Sequence, residues 1–349
     1  MTTTGCLIPR RRLQLIPHTL RLRHEFCFFL HDECARLLTQ YEDAQAHIVT
    51  IQFEDTEKAN RFSELADQYE DSISALRKLG YQAEARRVTL NTITMAMVSD
   101  CLHHIYEALS CLERRKLIVA LNLLRKPLLD SATYLSWLLG DEDAFYSEFM
   151  AGDPKKITHK ILGSRRSEIL SQALRRTQVS DLLDATSIKE AIFDVKNDFG
   201  LYGLFQHAVH LVTTLKPECQ TTPRNFNFIF KDPTDDDVYL RLYGLLPELL
   251  LYLGHVILEL FDNMKQMDEG AKKAFFIRST FGFHLINDVG KAQRVREKLQ
   301  TTLSPHFQCN KCSAPLSVTQ HNAARIVLSE TFRCTRCGSV HPIPFSWLF

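Results

Sequence analysis

The C-terminal part of the chain reads C-N-K-C at residues 309–312, V-L-S-E-T-F-R at 327–333 and C-T-R-C-G at 334–338. Each C-x-x-C pair predicts a tight loop that directs two thiolates at one point, and two such loops facing each other form a tetrahedral cage of four sulfur atoms. Thiolate ligands in this geometry suit Zn²⁺. The spacing is typical of a zinc ribbon, and it predicts one structural zinc ion. The predicted ligands are Cys309, Cys312, Cys334 and Cys337.

Three alternatives to this closed zinc cage were weighed: two disulfides, a histidine ligand and a catalytic metal site. The chain has ten cysteines and nothing that resembles a secreted protein, which favours metal ligation over disulfides. His321 and His341 are near enough in sequence to replace a thiolate, although four cysteines do not require them. Four thiolates fill the coordination shell of zinc, so a zinc hydrolase is the least favoured class.

The residues around the cysteines predict β structure. Ile326, Leu328 and residues 331–333 suit a strand that pairs back on the first cysteine loop. The chain then ends in H-P-I-P-F-S-W-L-F, whose aromatic residues we expect to pack on the ribbon or on the rest of the protein. These residues are Phe345, Trp347 and Phe349, together with Leu348.

The composition is typical of a soluble globular protein, with 45% hydrophobic and 24% charged residues. The low numbers of glycine (13) and proline (12) favour long helices over many short strands. A net charge of +1 argues against a surface dominated by phosphate binding but leaves room for local basic clusters. No apolar signal core follows the arginines at 10–12, so we expect a cytoplasmic protein.

Apolar residues recur at helical spacing through residues 1–302, which predicts a mainly α, multi-helix bundle followed by a small C-terminal β zinc ribbon at 303–349. The helices at 82–112 and 116–139, the second interrupted at Pro127, are the predicted centre of the bundle. The irregular stretch at 216–235 is the place where the helical domain could be subdivided.

The segment 238–261 is the most membrane-like part of the sequence. Arg241, Glu248 and His255 are seven residues apart and therefore share one helical face. A spanning helix rarely carries such a charged stripe, so we predict no membrane association. We expect the stripe to be solvated rather than to form a polar seam inside the bundle.

Two helical segments carry a family resemblance: L-L-R-K-P-L-L-D-S-A-T-Y-L-S-W-L-L-G-D at 123–141 and Y-G-L-F-Q-H-A-V-H at 202–210. This pattern of residue types, over about residues 85–215, resembles uncharacterised bacterial proteins grouped near the HEPN-type helical superfamily. The resemblance implies a metal-independent ribonuclease, often a toxin or antiviral effector, with an R-x₄₋₆-H motif usually completed in a dimer. The arginine would stabilise phosphate charge, and the histidine would help move the proton of the 2′-hydroxyl.

The best candidate for that motif is Arg278 with His284, in F-F-I-R-S-T-F-G-F-H-L-I. Two further pairs have the same spacing, but one is broken by a proline and the other lies among the cysteines. With 14 histidines in the chain, matches by chance are expected. The second candidate pair is Arg125 with His207, although no arginine stands at the motif distance before His207. As a structural residue, Arg125 would snorkel or pair with a carboxylate.

Two classes of function follow from the sequence. The first is a binding or regulatory protein whose zinc ribbon contacts RNA, DNA or a partner protein, for example in bacterial defence or stress response. The second is a HEPN-type ribonuclease, for which a homodimer is expected. We favour the first because a fold-level resemblance does not supply a catalytic site. The basic residues of the ribbon suit phosphates; they are Lys311, Arg325, Arg333 and Arg336.

Overall fold

The computed structural model describes residues 6–214, 220–223, 226 and 235–344. These residues form a helical body and, near the C-terminus, a small two-stranded sheet, so the predicted fold class is confirmed. The helices are α1 (Arg21–Asp43), α2 (Thr56–Tyr69), α3 (Ser72–Lys78), α4 (Gln82–Leu112), α5 (Leu117–Arg125), α6 (Ala132–Gly140), α7 (Glu142–Met150), α8 (His159–Leu162), α9 (Arg166–Arg175), α10 (Ala185–Phe193), α11 (Tyr202–Ala208), α12 (Asp235–Met264), α13 (Glu269–Asn287), α14 (Val289–Leu303) and α15 (Gln320–Ser329). A 3₁₀ turn covers His18–Leu20. The strands are β1 (Thr331–Arg333) and β2 (Val340–Pro342).

Side-chain caps explain where many of these helices begin. An aspartate or threonine oxygen accepts a backbone N–H of the first turn, which would otherwise have no partner. Asp268 and Asp288 cap α13 and α14 in this way, each by a bond to the residue three positions later. The other capping residues are Asp55, Asp71, Asp141, Asp184 and Thr319.

Pro127 interrupts the helix that was predicted at 116–139. Proline has no N–H to donate, and its ring collides with the carbonyl one turn earlier. Here the backbone widens into a π-helical turn, Lys126–Ser131, between α5 and α6, which accommodates the hydrogen bond that proline cannot make. The helix therefore continues through the proline instead of ending there.

Helix α12 forms a large part of the core, and the predicted central pair α4 and α5 also pack against each other. Helix α12 packs against α1, α6 and α13, and three of its tyrosines are almost fully buried. The Tyr239 hydroxyl donates to the Leu112 carbonyl oxygen at 2.6 Å, and the Tyr252 hydroxyl lies 2.7 Å from Ser136 Oγ. These bonds satisfy polar groups that would be costly to bury alone. The remaining tyrosine is Tyr243, which contacts His24.

The polar stripe of α12 corrects a sequence-based expectation. His255 is completely buried and Glu259 nearly so, so this part of the stripe forms a polar seam inside the bundle. The Nε2 atom of His255 lies 3.0 Å from Ser279 Oγ on α13, and burial lowers the pKa of His255 to about 3. Lys272 of α13 lies 2.7 Å from the Glu259 carboxylate. Helix α13 supplies partners for His255 Nε2 and for the Glu259 carboxylate, which lowers the cost of burying them.

By length and composition, α12 is also the one helix among the described residues that is apolar enough to cross a membrane. However, 83% of its most apolar window is buried inside the protein, as in the core helix of a soluble protein. That the segment does not span a membrane stays a prediction.

The C-terminal region differs from the β ribbon that the sequence predicted. Ile326 and Leu328 lie on α15, not on a strand, and only residues 331–333 of the predicted strand are extended. The reason is local: Thr319 caps the helix start through Asn322 N, and the buried apolar residues follow a helical repeat. Strand β1 pairs antiparallel with β2, Phe332 opposite His341. The predicted packing of residues 345–349, and most of the stretch at 216–235, lie outside the described residues.

Candidate metal centre

Two short loops bring the four cysteines together. The first loop is closed by a hydrogen bond from Cys309 N to Ala314 O at 2.8 Å, with Ser313 in the left-handed conformation (φ 55°). In the second, Gly338 adopts φ 75° and donates its N–H to the Cys334 carbonyl oxygen at 3.0 Å. A positive φ is least strained for glycine, so the glycine of C-T-R-C-G suits this turn.

The four sulfur atoms form one compact cluster, all within 4.8 Å of one another. The Sγ atoms of Cys309 and Cys337 are 3.4 Å apart, and those of Cys312 and Cys334 are 3.6 Å apart. These distances exceed the disulfide bond length of about 2.05 Å. They are close to the edge of about 3.8 Å that a tetrahedron has when each sulfur lies about 2.3 Å from its centre. The cluster can therefore hold a metal ion, and its ligands are compatible with zinc.

Hydrogen bonds in the second loop favour the thiolate form that a metal requires. The Ser339 hydroxyl and then its backbone N–H lower the pKa of Cys337 to about 6. The backbone N–H of Cys337 lowers the pKa of Cys334. Four thiolates would complete the coordination shell of a bound zinc ion, which indicates a structural role.

The buried side chain of Asn322 joins the parts of this region. Its Oδ1 atom accepts the Arg333 N–H at 3.0 Å, and its Nδ2 atom donates to the carbonyl oxygens of Arg333 (3.0 Å) and Ser317 (2.9 Å). One amide therefore links α15 both to β1 and to the segment after the first cysteine loop. Asn322 was not predicted as a site residue, because a single asparagine in a helical segment carries no distinguishing signal in the sequence.

Arg278, a candidate catalytic residue, instead holds α15 against the helical body. Its guanidinium donates to the carbonyl oxygens of Val327 (3.0 Å) and Leu328 (2.8 Å) and to the Glu33 carboxylate (2.9 Å). It also lies over the Phe29 ring, 4.8 Å from the ring centre. The last carbonyls of a helix have no partner within the helix, so Arg278 serves as a cap supplied by another element.

His284 shares α13 with Arg278 but does not share its direction. A separation of six residues places the two side chains about 120° apart around the helix. His284 is half-buried near the end of α13, and its pKa is lowered by burial and then by the charge of Lys291. Whether the pair is catalytic stays a prediction; all three guanidinium nitrogens of Arg278 already donate to protein acceptors.

Arg125 and His207, the second candidate pair, lie on helices that contact each other. Helix α5 packs against α11, and Asn122 Nδ2 donates to the Ala208 carbonyl oxygen at 3.3 Å. The Nε atom of Arg125 is buried and has no hydrogen-bond partner in the described part of the chain. The structure therefore brings the two helices together without showing a bond between the two residues.

Three arginines from separate segments lie near enough to His321, on α15, for their charges to act on it. Burial, followed by the charges of Arg325, Arg333 and Arg10, lowers the pKa of His321 to about 4. We call the three arginines the basic cluster. Arg333 is exposed and its Nε atom donates to the Gly338 carbonyl oxygen at 3.2 Å.

The other two predicted phosphate-binding residues, Lys311 and Arg336, are exposed on the first and second cysteine loops respectively. Lys311 and Arg336 are therefore on the cysteine loops, Arg333 is on β1, and Arg325 is on α15. Only two of the four, Arg325 and Arg333, belong to the basic cluster.

Arg10 reaches the cluster because the N-terminal segment is fixed to α1 and α15. The Glu25 carboxylate accepts the backbone N–H groups of Cys6, Leu7 and Ile8 at 2.7, 2.9 and 3.0 Å. The sulfur of Cys6 lies 3.7 Å from His321 Nδ1, 315 residues away in sequence. The arginine run at 10–12 was visible in the sequence, but its place beside the cysteine region was not.

Comparison of the chain with protein-family models, curated proteins and solved structures finds no match. The resemblance to HEPN-type proteins therefore has no support from these comparisons. What the structure shows is a helical protein with a four-cysteine cluster able to bind a metal ion.

Proposed function

We propose that this protein is a zinc-stabilised nucleic-acid-binding protein whose basic cluster contacts the phosphate backbone. The observation that supports the proposal most directly is the convergence of Arg10, Arg325 and Arg333 around His321. The three positive charges add to one local electrostatic potential, which attracts anions. Phosphates are the anions that arginine recognises best, because its planar donors match their oxygen atoms.

The ion would hold the cluster in shape rather than take part in chemistry. Arg333 immediately precedes the ligand Cys334, and Asn322 ties Arg333 to the helix that carries Arg325. Binding of zinc by Cys309, Cys312, Cys334 and Cys337 would therefore fix the spacing between these two arginines. Small metal modules gain much of their folding free energy from the metal.

The Cys334→Ser variant tests whether the cysteines bind zinc. Its zinc content and the hydrogen-exchange rate of the β1 amides are compared with those of the parent protein. We expect the variant to lose its zinc and the exchange of residues 320–342 to accelerate. Asn310→Ala, at an exposed position in the first loop, is the control and should keep both properties. A full complement of zinc in Cys334→Ser would show that the ligand set is wrong.

The nucleic-acid part is tested by the salt dependence of binding to labelled RNA and DNA. A triple Arg10/Arg325/Arg333→Ala variant should reduce the slope of log affinity against log salt by about 2 to 3, since each lost phosphate contact removes about 0.7 to 0.9. The charge-matched control is Arg36/Arg61/Lys196→Ala, at exposed positions outside the cluster. Equal slopes for the two variants would exclude the cluster as the interface and favour a partner protein.

The ribonuclease alternative receives less support, because the guanidinium of Arg278 is occupied by Glu33 and by backbone carbonyls. Its test is incubation with end-labelled RNA in EDTA, followed by a denaturing gel. Cleavage by the parent protein but not by His284→Ala, with unchanged circular dichroism, would establish the ribonuclease in place of the binding function. Intact RNA with both proteins is the result we expect.

A further inference from the structure

The four sulfurs of the cysteine cluster differ in their exposure to solvent. Cys309 and Cys334 are buried, at 1% and 5% exposure, and Cys312 is half-buried. Cys337 alone among them is exposed. A cage with three protected ligands and one exposed ligand has a single corner at which another molecule can reach the metal–sulfur bond.

A fifth donor atom lies beside the buried sulfur of Cys309. His341 Nε2 is 3.2 Å from Cys309 Sγ, slightly closer than the 3.4 Å between Cys309 Sγ and Cys337 Sγ. In a tetrahedral zinc site with bond lengths of about 2.3 Å to sulfur and 2.0–2.1 Å to nitrogen, the edge between the two ligand atoms is about 3.5 Å. His341 Nε2 and Cys337 Sγ are therefore each separated from the Cys309 sulfur by about the distance expected between two ligand atoms of one zinc ion.

The fold holds the imidazole in this place independently of the cysteines. His341 pairs with Phe332 across the two strands, and the two rings are 5.0 Å apart with an angle of 32° between their planes. This pairing fixes the side chain on one face of the sheet and aims Nε2 at the cluster. Imidazole nitrogen is a common zinc ligand, so the donor type fits as well as the distance.

We propose that Cys337 and His341 are exchangeable ligands of one metal corner, so that the ion stays bound through Cys309, Cys312, Cys334 and His341 when Cys337 leaves it. The inference rests on the metal site proposed above. With Cys337 bound, the Nε2–H group of His341 would donate to the Cys309 thiolate and reduce its charge, as outer-shell groups commonly do at metal sites. When Cys337 leaves, its thiolate takes up a proton, and the imidazole then completes the shell through Nε2 in the neutral tautomer that carries its proton on Nδ1.

The exchange is tested with cobalt(II), whose visible spectrum distinguishes four sulfur ligands from three sulfurs and one nitrogen. The proteins compared are the parent, Cys337→Ser, His341→Phe and the double variant, because phenylalanine keeps the ring beside Phe332 but supplies no donor. We expect one ion per chain and a four-sulfur spectrum for the parent. Cys337→Ser should keep one ion with the three-sulfur, one-nitrogen spectrum, and the double variant should bind at least about 100-fold more weakly than Cys337→Ser.

Each outcome separates this inference from the proposed site. A parent protein that binds no stoichiometric cobalt would refute the metal site itself and the exchange with it. A parent that binds cobalt, together with equal affinity and spectrum for Cys337→Ser and the double variant, would leave the site intact and overturn the role of His341. His321→Ala removes another imidazole of the same region and should leave the four-sulfur spectrum unchanged; a nitrogen signal of Cys337→Ser that vanished with His321→Ala would also overturn it.

Discussion

Replacing Arg278 by methionine tests whether the C-terminal region is held to the helical body by one side chain. The substitution keeps much of the apolar stem but removes the donors to Val327 O, Leu328 O and the Glu33 carboxylate. The side chains of Arg278 and Glu33 are only 13% and 12% exposed, so solvent screening is small. No other described side chain is shown to donate to those two carbonyl oxygens.

The size of the effect follows from these contacts. Hydrogen bonds from a charged donor each contribute about 1.5–3 kcal/mol, and the contact with the Phe29 ring adds about 1 kcal/mol. Glu33 retains Arg36, whose nearest nitrogen is 2.6 Å away, so the carboxylate is not left unpaired. Counting only the two bonds to the carbonyl oxygens, at the lower limit of that range, we expect a loss of at least about 3 kcal/mol in the stability of α15 and its contacts.

The assay is hydrogen exchange of the backbone amides in α15 and β1, followed by mass spectrometry. A loss of about 3 kcal/mol corresponds to a decrease in protection of more than 100-fold. Arg36→Met is the matched control, because it removes an exposed partner of the same carboxylate and should cost about 1 kcal/mol or less. Protection in Arg278→Met equal to that in Arg36→Met would refute the clamp, and Arg278 would again be free for catalysis.

Three further substitutions test single features of the fold. Asn322→Ala should cost about 2–4 kcal/mol, because it removes three hydrogen bonds that join α15 to its neighbours, and urea unfolding of the metal-loaded protein would measure this against the exposed control Asn310→Ala. Gly282→Ala should cost about 1–3 kcal/mol in thermal unfolding, because the added Cβ would lie 2.6 Å from the Phe26 ring. Gly244→Ala, where nothing lies within 4 Å, should be neutral or stabilising by up to about 1 kcal/mol; equal losses for both would contradict the packing argument. His255 is neutral in the folded state down to a pKa of about 3, whereas the unfolded chain binds its proton below about pH 6.5. Stability should therefore fall by about 1.4 kcal/mol per pH unit as pH decreases from 6 to 4. His255→Gln should reduce the dependence of the unfolding free energy on pH, and the control His306→Gln, at an exposed position, should not. If His255→Gln shows the same pH dependence as the parent protein, His255 does not cause it.

The candidate metal site could be predicted from the sequence because its information is local. Each C-x-x-C pair places two thiolates on one loop whatever the rest of the chain does, and the glycine after the second pair suits the turn that Gly338 makes. The helical class was likewise visible, since apolar residues repeat every three to four positions. The capping aspartates at 268 and 288 are signals of the same short range.

The tertiary structure decided which polar residues are buried and which segments meet. Ile326 and Leu328 lie on a helix instead of a strand: Thr319 caps the start of that helix, and its apolar face packs on α1, α13 and α14. His255 is buried because α13 covers it and supplies Ser279. Arg278 became a clamp only when α15 placed its last carbonyls beside it. Arg10 comes near His321 because Cys6, in the same N-terminal segment, contacts His321, 315 residues away in sequence. The spacing of residues within a short segment fixes local geometry. Partners far apart in sequence are brought together by the packing of the whole core, which cannot be read from the spacing of residues.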